Sequence, residues 1–257
     1  MKKEVSKKED SAAVESKVDD NEFNIMPDQD TTAEDISIPK VLIMQGQSPR
    51  VLDGDAQFGD LVDTLNWEVM ASIKRGKDEV KTLEVVPVHW EKYWIIKKAD
   101  GQKWKTVALT KMTPADQEKD PYEKWDEGGV AHKRIYLHVF YIMIKGKTIP
   151  YTIGFRGSSR EAGKAFRTQM YEINKTIKAA PYVQSPMGRV IEITPVKTLK
   201  DDNTFVTLEI KPIRESTLEE AREALKWNKA LKSGKAKADH SDIMNEGQSS
   251  EQVQTEY

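Results

Sequence analysis

Three side chains in the stretch from Val80 to Lys98 have the chemistry and spacing to hold a flat, negatively charged ligand. Trp90, Lys92 and Trp94 alternate along the chain, and alternate residues of a strand point to the same face of a sheet. Nucleic-acid bases stack on aromatic rings, and phosphates pair with lysine ammonium groups. The spacing therefore predicts a binding surface for single strands, although one tryptophan of the pair could instead pack in the core.

A second stretch, from His132 to Lys145, shows a related pattern. Its odd-numbered positions from Ile135 to Met143 are apolar and predict a core-facing side, whereas its even-numbered positions carry cations and rings. A third group follows a tight turn predicted at 99–101. The nucleic-acid-binding residues predicted from the three stretches are Trp90, Lys92, Trp94, Lys97, Lys98, Lys103, Trp104, Lys105, Arg134, Tyr136, His138 and Phe140.

The sequence contains no recognisable catalytic or metal-binding motif. The segment GSSREAGKA resembles a phosphate-binding loop, but five residues separate Gly157 from Gly163 and Ala165 follows Lys164, so the spacing and the magnesium-binding hydroxyl are both wrong. The four histidines show no metal-ligand spacing, and the chain has no cysteine. We therefore predict no catalytic residue, no metal, no cofactor and no enzymatic activity.

The elements that must position these residues are mostly strands. Alternating hydrophobicity bounded by turn residues predicts strands, and a change to helical spacing predicts two helices, the second capped by Ser216 with Glu219 three residues later. The predicted strands outside Val80–Lys98 and its return strand are a strand, turn and strand at Gly59–Ile73, then His132–Lys145, Thr148–Phe155, Arg189–Lys197 and Thr204–Lys211. Pro87 marks an edge, a bulge or a bend in its strand, and Trp125 lies in a long loop predicted at Thr113–Gly129. The first helix is Ser158–Lys178, with Arg160, Lys164 and Arg167 outside its apolar stripe. This pattern predicts a β-rich α+β fold: a small oligonucleotide-binding-type barrel with one inserted helix, a C-terminal helix and disordered acidic tails.

Charge divides the chain of 257 residues into three parts. Residues 1–38 carry a net charge of −6 and residues 239–257 a net charge of −5, whereas residues 39–238 carry +9. A basic body between acidic ends indicates a polyanionic partner. The predicted organisation is a disordered acidic N-terminal arm at 1–38, a nucleic-acid-binding domain at 39–214, a C-terminal helix at 215–234 and a flexible acidic C-terminal tail at 235–257.

Hydrophobic runs long enough for targeting or membrane insertion are missing from the sequence. The first thirty residues hold no apolar run, and no stretch approaches eighteen consecutive apolar residues. We expect a cytoplasmic protein with no membrane partner.

Four sequence blocks resemble bacteriophage-encoded single-stranded-DNA-binding proteins of replication and recombination. The blocks are PKVLIMQGQSPRV, GDLVDTL, LEVVPVHWEKYWI and YTIGFRGSSREAGKAF, and the resemblance covers roughly residues 38–214. It implies an oligonucleotide-binding fold, coating of single-stranded DNA in the cytoplasm of a bacterial host, and an acidic C-terminal tail that recruits replication or recombination proteins. The acids of this tail, which ends in EQVQTEY, are sparse, and the acidic N-terminal arm departs from the family pattern.

Two functions are consistent with these patterns. The first is binding of single-stranded DNA without sequence specificity, by aromatic stacking and by contacts from lysine and arginine to phosphates. The alternative is a non-enzymatic phage structural protein or replication-complex adaptor whose aromatic surface is a protein interface, where Trp, Tyr and Arg are also enriched. A homo-oligomer is compatible with both functions.

Overall fold

The computed structural model describes residues 37–74, 80–101, 103–113, 116, 123–172, 181–200 and 203–240. All of these belong to one compact unit, Ala33–Tyr257. Residues 1–36 of the predicted acidic arm, residues 241–257 of the predicted tail and residues 173–178 of the predicted first helix lie outside the described residues.

Strands dominate the described chain, and few helices accompany them. The strands are β1 Lys40–Ile43, β2 Leu61–Asp63, β3 Val69–Ala71, β4 Leu83–Asp100, β5 Lys103–Lys111, β6 Lys124–Glu127, β7 Val130–Ile144, β8 Pro150–Phe155, β9 Arg189–Lys200 and β10 Asn203–Glu215. The helices are α1 Pro49–Leu52, α2 Arg160–Tyr171 and α3 Leu218–Lys232, and a 3-10 turn, Gly157–Ser159, leads into α2. The predicted β-rich α+β class is confirmed.

All ten strands join one sheet, which curls into a half-barrel. Along its main path the order is β10-β9-β4-β7-β8-β1-β2-β3, while β5 pairs with β4 and β6 pairs with β7. Strand β1 runs parallel to β8, and the other described pairs are antiparallel. Strand β4 spans 18 residues and contains most of the predicted strand Val80–Lys98; it pairs with β5, β7 and β9 and is therefore central to the sheet.

A β-bulge in β4 sets which side chains share a face. The register against β7 shifts between Pro87 and His89, at the proline that cannot donate to the ladder. Val85 lies in one hydrophobic cluster and Val86 and Val88 lie in the other. Beyond the bulge, even-numbered residues of β4 face the same side as even-numbered residues of β7.

Helices cover both faces of this sheet, which the sequence did not predict. On one face, Phe166 and Met170 of α2 pack with Phe140, Ile142 and Phe155 of the strands. We call this side the α2 face. On the opposite side, the α3 face, Ala224 packs with Leu137, Val139 and Tyr141.

Helix α3 is held on the sheet by a polar contact as well. The buried Asn228 donates from Nδ2 to the Val88 carbonyl at 2.6 Å. The N-cap is Thr217, paired with Glu220 in a capping box, so the predicted pair of Ser216 and Glu219 is wrong by one residue. Ser216 instead donates its hydroxyl to the Met187 carbonyl at 2.7 Å.

No helix in the described part of the chain is long and apolar enough to cross a membrane.

Candidate nucleic-acid interface

Strand pairing brings most of the predicted binding residues onto the α2 face. Trp90 lies opposite Phe140, Lys92 opposite His138, and Trp94 opposite Tyr136. Directly paired residues of an antiparallel ladder share a face and contact each other. Ring centroids accordingly lie 4.5 Å apart for Tyr136 and His138, and 5.5 Å apart for Trp94 and Tyr136.

The inner part of this face is closed rather than open. The side chains of Phe140, His138 and Trp94 are only 0%, 2% and 4% exposed. Phe166 of α2 lies 4.7 Å from Phe140, ring centroid to ring centroid. These three predicted binding residues are therefore buried in this conformation. Helix α2 approaches Phe140 and His138, whereas Trp94 lies against Tyr136 and Arg134.

The rim of the same face remains accessible and is strongly cationic. Trp90, Lys92 and Tyr136 are half-buried. The Lys92 ammonium lies 5.3 Å from the Trp90 ring and 5.7 Å from the Tyr136 ring. From α2, the Arg167 guanidinium lies 5.4 Å from the Trp90 ring and that of Arg160 lies 5.8 Å from the Tyr136 ring. These distances fit cation–π contacts, which hold the charges beside the rings.

We call Lys92, Arg160, Lys164 and Arg167 the cationic cluster, because all four act on His138. Burial lowers the pKa of His138 to about 3, and the positive charges of Arg167, Lys92, Arg160 and Lys164 add to the effect. The imidazole is therefore neutral at neutral pH, and its buried Nδ1 has no hydrogen-bond partner among the described residues. The imidazole therefore adds no charge to the cluster, in which Lys164 also pairs with Glu161 at 2.8 Å.

The α2 face continues as a cationic strip toward the β4–β5 turn. The Arg134 guanidinium lies 4.6 Å from the Trp94 ring and pairs with Glu123. Beyond it, Lys98 pairs across the ladders with Lys105 and with His132. Lys98, Lys103 and Lys105 are exposed. The cations therefore extend from α2 to the end of the β4–β5 hairpin along one face.

Two predicted residues lie on the opposite face of the sheet. Trp104 pairs with Ala99, and Lys97 pairs with Lys133. The Lys133 ammonium lies 4.1 Å from the Trp104 ring. Burial, then the charges of Lys97 and Lys124, lower the pKa of Lys133. Trp104 and Lys97 consequently cannot share one flat platform with Trp90 and Trp94.

Sequence reasoning missed two parts of this surface. Arg160, Lys164 and Arg167 were assigned only to the outside of a helix, although their spacing of four and three residues puts them on one helical stripe. The second is Trp125, which the sequence predicts to lie in a loop. It lies in β6 and stacks on His132 with centroids 5.5 Å apart and planes 15° apart.

A polar cluster on the α3 face has a structural explanation. Burial alone would raise the pKa of Glu91, but contacts from His89, Lys111, Tyr93 and Tyr141 hold it well below its usual value. The Tyr93 and Tyr141 hydroxyls donate to its carboxylate at 2.6 and 2.9 Å. A carboxylate so fully hydrogen-bonded stays ionised and is a poor general acid.

Comparison with known proteins identifies the family of this chain. No curated protein and no solved structure matches the chain. A family model described as Pam3 phage gp34-like protein matches residues 7–237, which is most of the chain and includes every strand and helix named above. This match confirms the part of the predicted resemblance that concerns a phage origin. The chain belongs to the Pam3 phage gp34-like protein family.

Proposed function

We propose that this protein is a non-enzymatic single-stranded-DNA-binding protein of phage replication or recombination. The strand would bind without sequence specificity along the α2 face. The observation that carries the proposal is the juxtaposition of the cationic cluster with the half-buried rings of Trp90 and Tyr136. Rings that offer π-faces beside cations are what a sequence-tolerant single-strand site requires.

The path we propose starts at α2 and runs to the β4–β5 hairpin. Phosphates would meet Arg160, Lys164 and Arg167 first, then Lys92, and then Lys98 and Lys105. Bases would stack on Trp90, Tyr136 and Trp125, the rings with accessible surface along this path. Trp94, His138 and Phe140 would support those rings from below rather than contact bases.

The curled sheet supports the finer part of the fold prediction. A strongly bent antiparallel sheet whose face binds single strands is the arrangement of oligonucleotide-binding folds. We propose that the half-barrel formed around β4 and β7 is of this type, with α2 as the inserted helix and α3 as the C-terminal helix. Solving the protein with a bound oligonucleotide would test this assignment directly.

A titration with oligo-dT, followed by tryptophan fluorescence at several salt concentrations, tests the function. Stacking should quench the fluorescence, and added salt should reverse the quenching because each neutralised phosphate releases counterions. The double variant Lys92→Gln/Arg167→Gln removes two cations of the cluster. It should reduce the slope of log K against log[salt] by about 1.4, since each phosphate contact on a single strand contributes about 0.7.

The matched control is Lys232→Gln, which removes an exposed lysine at the end of α3. Its affinity and salt slope should equal those of the wild type. If the control and the cluster variant weaken binding equally, the positive charge acts without a defined site. If the folded wild type neither quenches nor responds to salt, single-strand binding is excluded under the conditions used.

One observation favours the alternative, a structural or replication-complex adaptor protein. Because Trp94, His138 and Phe140 are buried, part of the aromatic pattern that suggested stacking is explained by packing within the protein. An adaptor would show no oligo-dT response, and salt would leave its association with a protein partner almost unchanged.

A further inference from the structure

Three lysines lie side by side on the α3 face, at the end of the sheet where the β4–β5 hairpin turns. Lys97 of β4 pairs with Lys133 of β7, and Lys133 pairs with Lys124 of β6. Directly paired residues of neighbouring strands share a face of the sheet, and neighbouring strands lie about 4.7–4.9 Å apart. We call these three residues the lysine row.

The stability of the sheet does not explain the lysine row. Like charges directly opposite each other destabilise a sheet, and in the described part of the chain no carboxylate pairs with Lys124 or Lys133. Lys124 is exposed and Lys133 is half-buried. The Lys133 ammonium contacts the Trp104 ring, and burial together with the charges of Lys97 and Lys124 lowers its pKa. Lys124 and Lys133 therefore present positive charge that is suited to an anionic ligand.

The end of the sheet that carries the lysine row is also where the strand path proposed on the α2 face ends. Adjacent residues of a strand point to opposite faces, so Lys98 of that path lies on the α2 face directly behind Lys97. Strand β4 ends at Asp100 where its antiparallel partner β7 begins at Val130, so the tips of the β4–β5 and β6–β7 hairpins lie at this same end. A strand that leaves the α2 face here reaches the lysine row by passing around the hairpin tips.

The residue types at this end favour a nucleic-acid strand over an acidic protein. Lysine is depleted at protein interfaces, whereas single strands bind along lysine- and arginine-lined grooves that also carry aromatic rings. The half-buried ring of Trp104 lies 4.1 Å from the Lys133 ammonium. Lysines beside a ring thus occur on both faces of the same end, with Lys92 beside Trp90 on the α2 face.

We propose that a long single strand passes around this end of the sheet and that its phosphates contact Lys124 and Lys133 on the α3 face. This extension rests on the proposed function, because it continues the strand bound on the α2 face. A short strand would occupy the α2 face alone, and a longer strand would reach both faces.

Fluorescence anisotropy with labelled oligo-dT of graded length tests the proposal on the full chain. The lengths run from about 6 to about 30 nucleotides, around the site sizes of about 4–16 nucleotides that one oligonucleotide-binding fold covers. The row variant Lys124→Gln/Lys133→Gln should bind the shortest oligonucleotides like the wild type. It should bind the longest about tenfold more weakly at low salt, and its slope of log K against log[salt] should be smaller by about 1.4 with these lengths only, since each phosphate contact contributes about 0.7.

Two controls separate a defined contact from an effect of net charge. Lys145→Gln/Lys211→Gln removes the same charge from exposed positions at the opposite end of the sheet, and it should bind every length like the wild type. Lys124→Arg/Lys133→Arg keeps the positive charge and should bind long oligonucleotides like the wild type. Circular dichroism shows whether each variant is folded as the wild type is.

The outcomes distinguish this proposal from the proposed function. Equal binding of every length by the row variant and the wild type would overturn the proposal and leave the α2-face site intact. An equal loss for short and long oligonucleotides would overturn it too, because the row would then belong to the main site. If poly-glutamate binds the wild type and not the row variant, while long oligo-dT binds both alike, the row binds an acidic protein instead. If the wild type binds no length, the proposed function fails together with this extension.

Discussion

His138 should make the stability of this protein depend on pH in a range where carboxylates hardly contribute. Burial under α2, and then the neighbouring cations, hold its pKa near 3, whereas a histidine in an unfolded chain titrates near 6.5. Between these two values the unfolded chain binds a proton that the folded chain does not. Stability is therefore fully present above pH 6.5 and is lost as the pH falls.

The size of the effect follows from the two pKa values. At pH 5, about 1.5 pH units below the pKa of an unfolded histidine, protonation stabilises the unfolded state by about 1.36 kcal/mol for each of those pH units. The free energy of unfolding is therefore about 2 kcal/mol lower at pH 5 than at pH 7. Replacing His138 by Phe removes this contribution. The buried Nδ1 has no partner among the described residues, so an apolar ring of similar shape leaves no new unsatisfied group.

Urea unfolding at pH 7.5 and pH 5.0, followed by circular dichroism, gives the change in the free energy of unfolding between the two pH values. The effect of His138 is the difference between this change in the wild type and in a His138 variant. The wild type should lose about 2 kcal/mol more than His138→Phe between the two pH values. His138→Leu gives the same comparison with a smaller side chain, in case phenylalanine overpacks the site. Arg167→Gln should reduce the loss only in part, because burial is the larger cause of the shift.

The reasoning is refuted if both His138 variants lose as much stability as the wild type on acidification. His138 would then titrate alike in the folded and unfolded states, which requires water or an anion to reach the ring. The cover formed by α2 would in that case open easily, and the inner rings of the α2 face would return as candidates for stacking.

Two further substitutions test how the helices are held on the sheet. Gly163→Ala places a Cβ 2.7 Å from Phe155 Cβ, so α2 must shift, and the free energy of unfolding in urea should fall by about 1–3 kcal/mol. The control Thr168→Ala, at an exposed position of the same helix, should leave this free energy unchanged. Equal losses in the two variants would contradict the close approach of Gly163 to Phe155. Asn228→Ala removes the donor to the Val88 carbonyl at the β4 bulge and should lower the free energy of unfolding, by heat or urea, by about 1–3 kcal/mol. The control Arg222→Ala, at an exposed position of α3, should leave stability unchanged. An Asn228→Ala variant as stable as the wild type would mean that water replaces the amide.

Local patterns were sufficient to predict most of the strands. Alternation along β4 and β7 and the turn residues near Gly101 depend on neighbours in the sequence, and the structure confirms these elements. Pro87 was predicted to mark an edge, a bulge or a bend, and it lies at a bulge. Such features are encoded within a few residues, so one sequence is enough to find them.

Burial of the aromatic face could not be predicted in the same way. The even-numbered side chains of β7 look like a solvent-facing set because they include His138 and Tyr136, yet α2 returns over them from 20 or more residues away along the chain. Gly163 lets α2 approach the sheet closely, because a Cβ at this position would lie 2.7 Å from Phe155 Cβ. Which surface the helix would cover depends on the sheet order, and local periodicity contains no information on that order.

The register of the β4–β5 hairpin explains the remaining error. Lys103 pairs with Asp100 and Trp104 with Ala99, so Trp104 faces the odd-numbered side of β4. A turn longer or shorter by one residue would have put its ring on the same face as Trp94, because one residue of slip moves every side chain to the other face. The tryptophan cluster predicted around the turn is thus divided between the two faces.

Binding of a polyanionic strand should appear as added stability, because the proposed ligand binds the folded protein and not the unfolded chain. Lys92 and three cations of α2 lie around a neutral imidazole whose Nδ1 is unsatisfied among the described residues, and Lys164 is also paired with Glu161. Phosphates bound along α2 would contact these cations, so oligo-dT should stabilise the wild type against urea. The Lys92→Gln/Arg167→Gln variant should gain less stability from oligo-dT, because it lacks two of the proposed phosphate contacts. If oligo-dT stabilises neither protein, the cluster has another ligand or none.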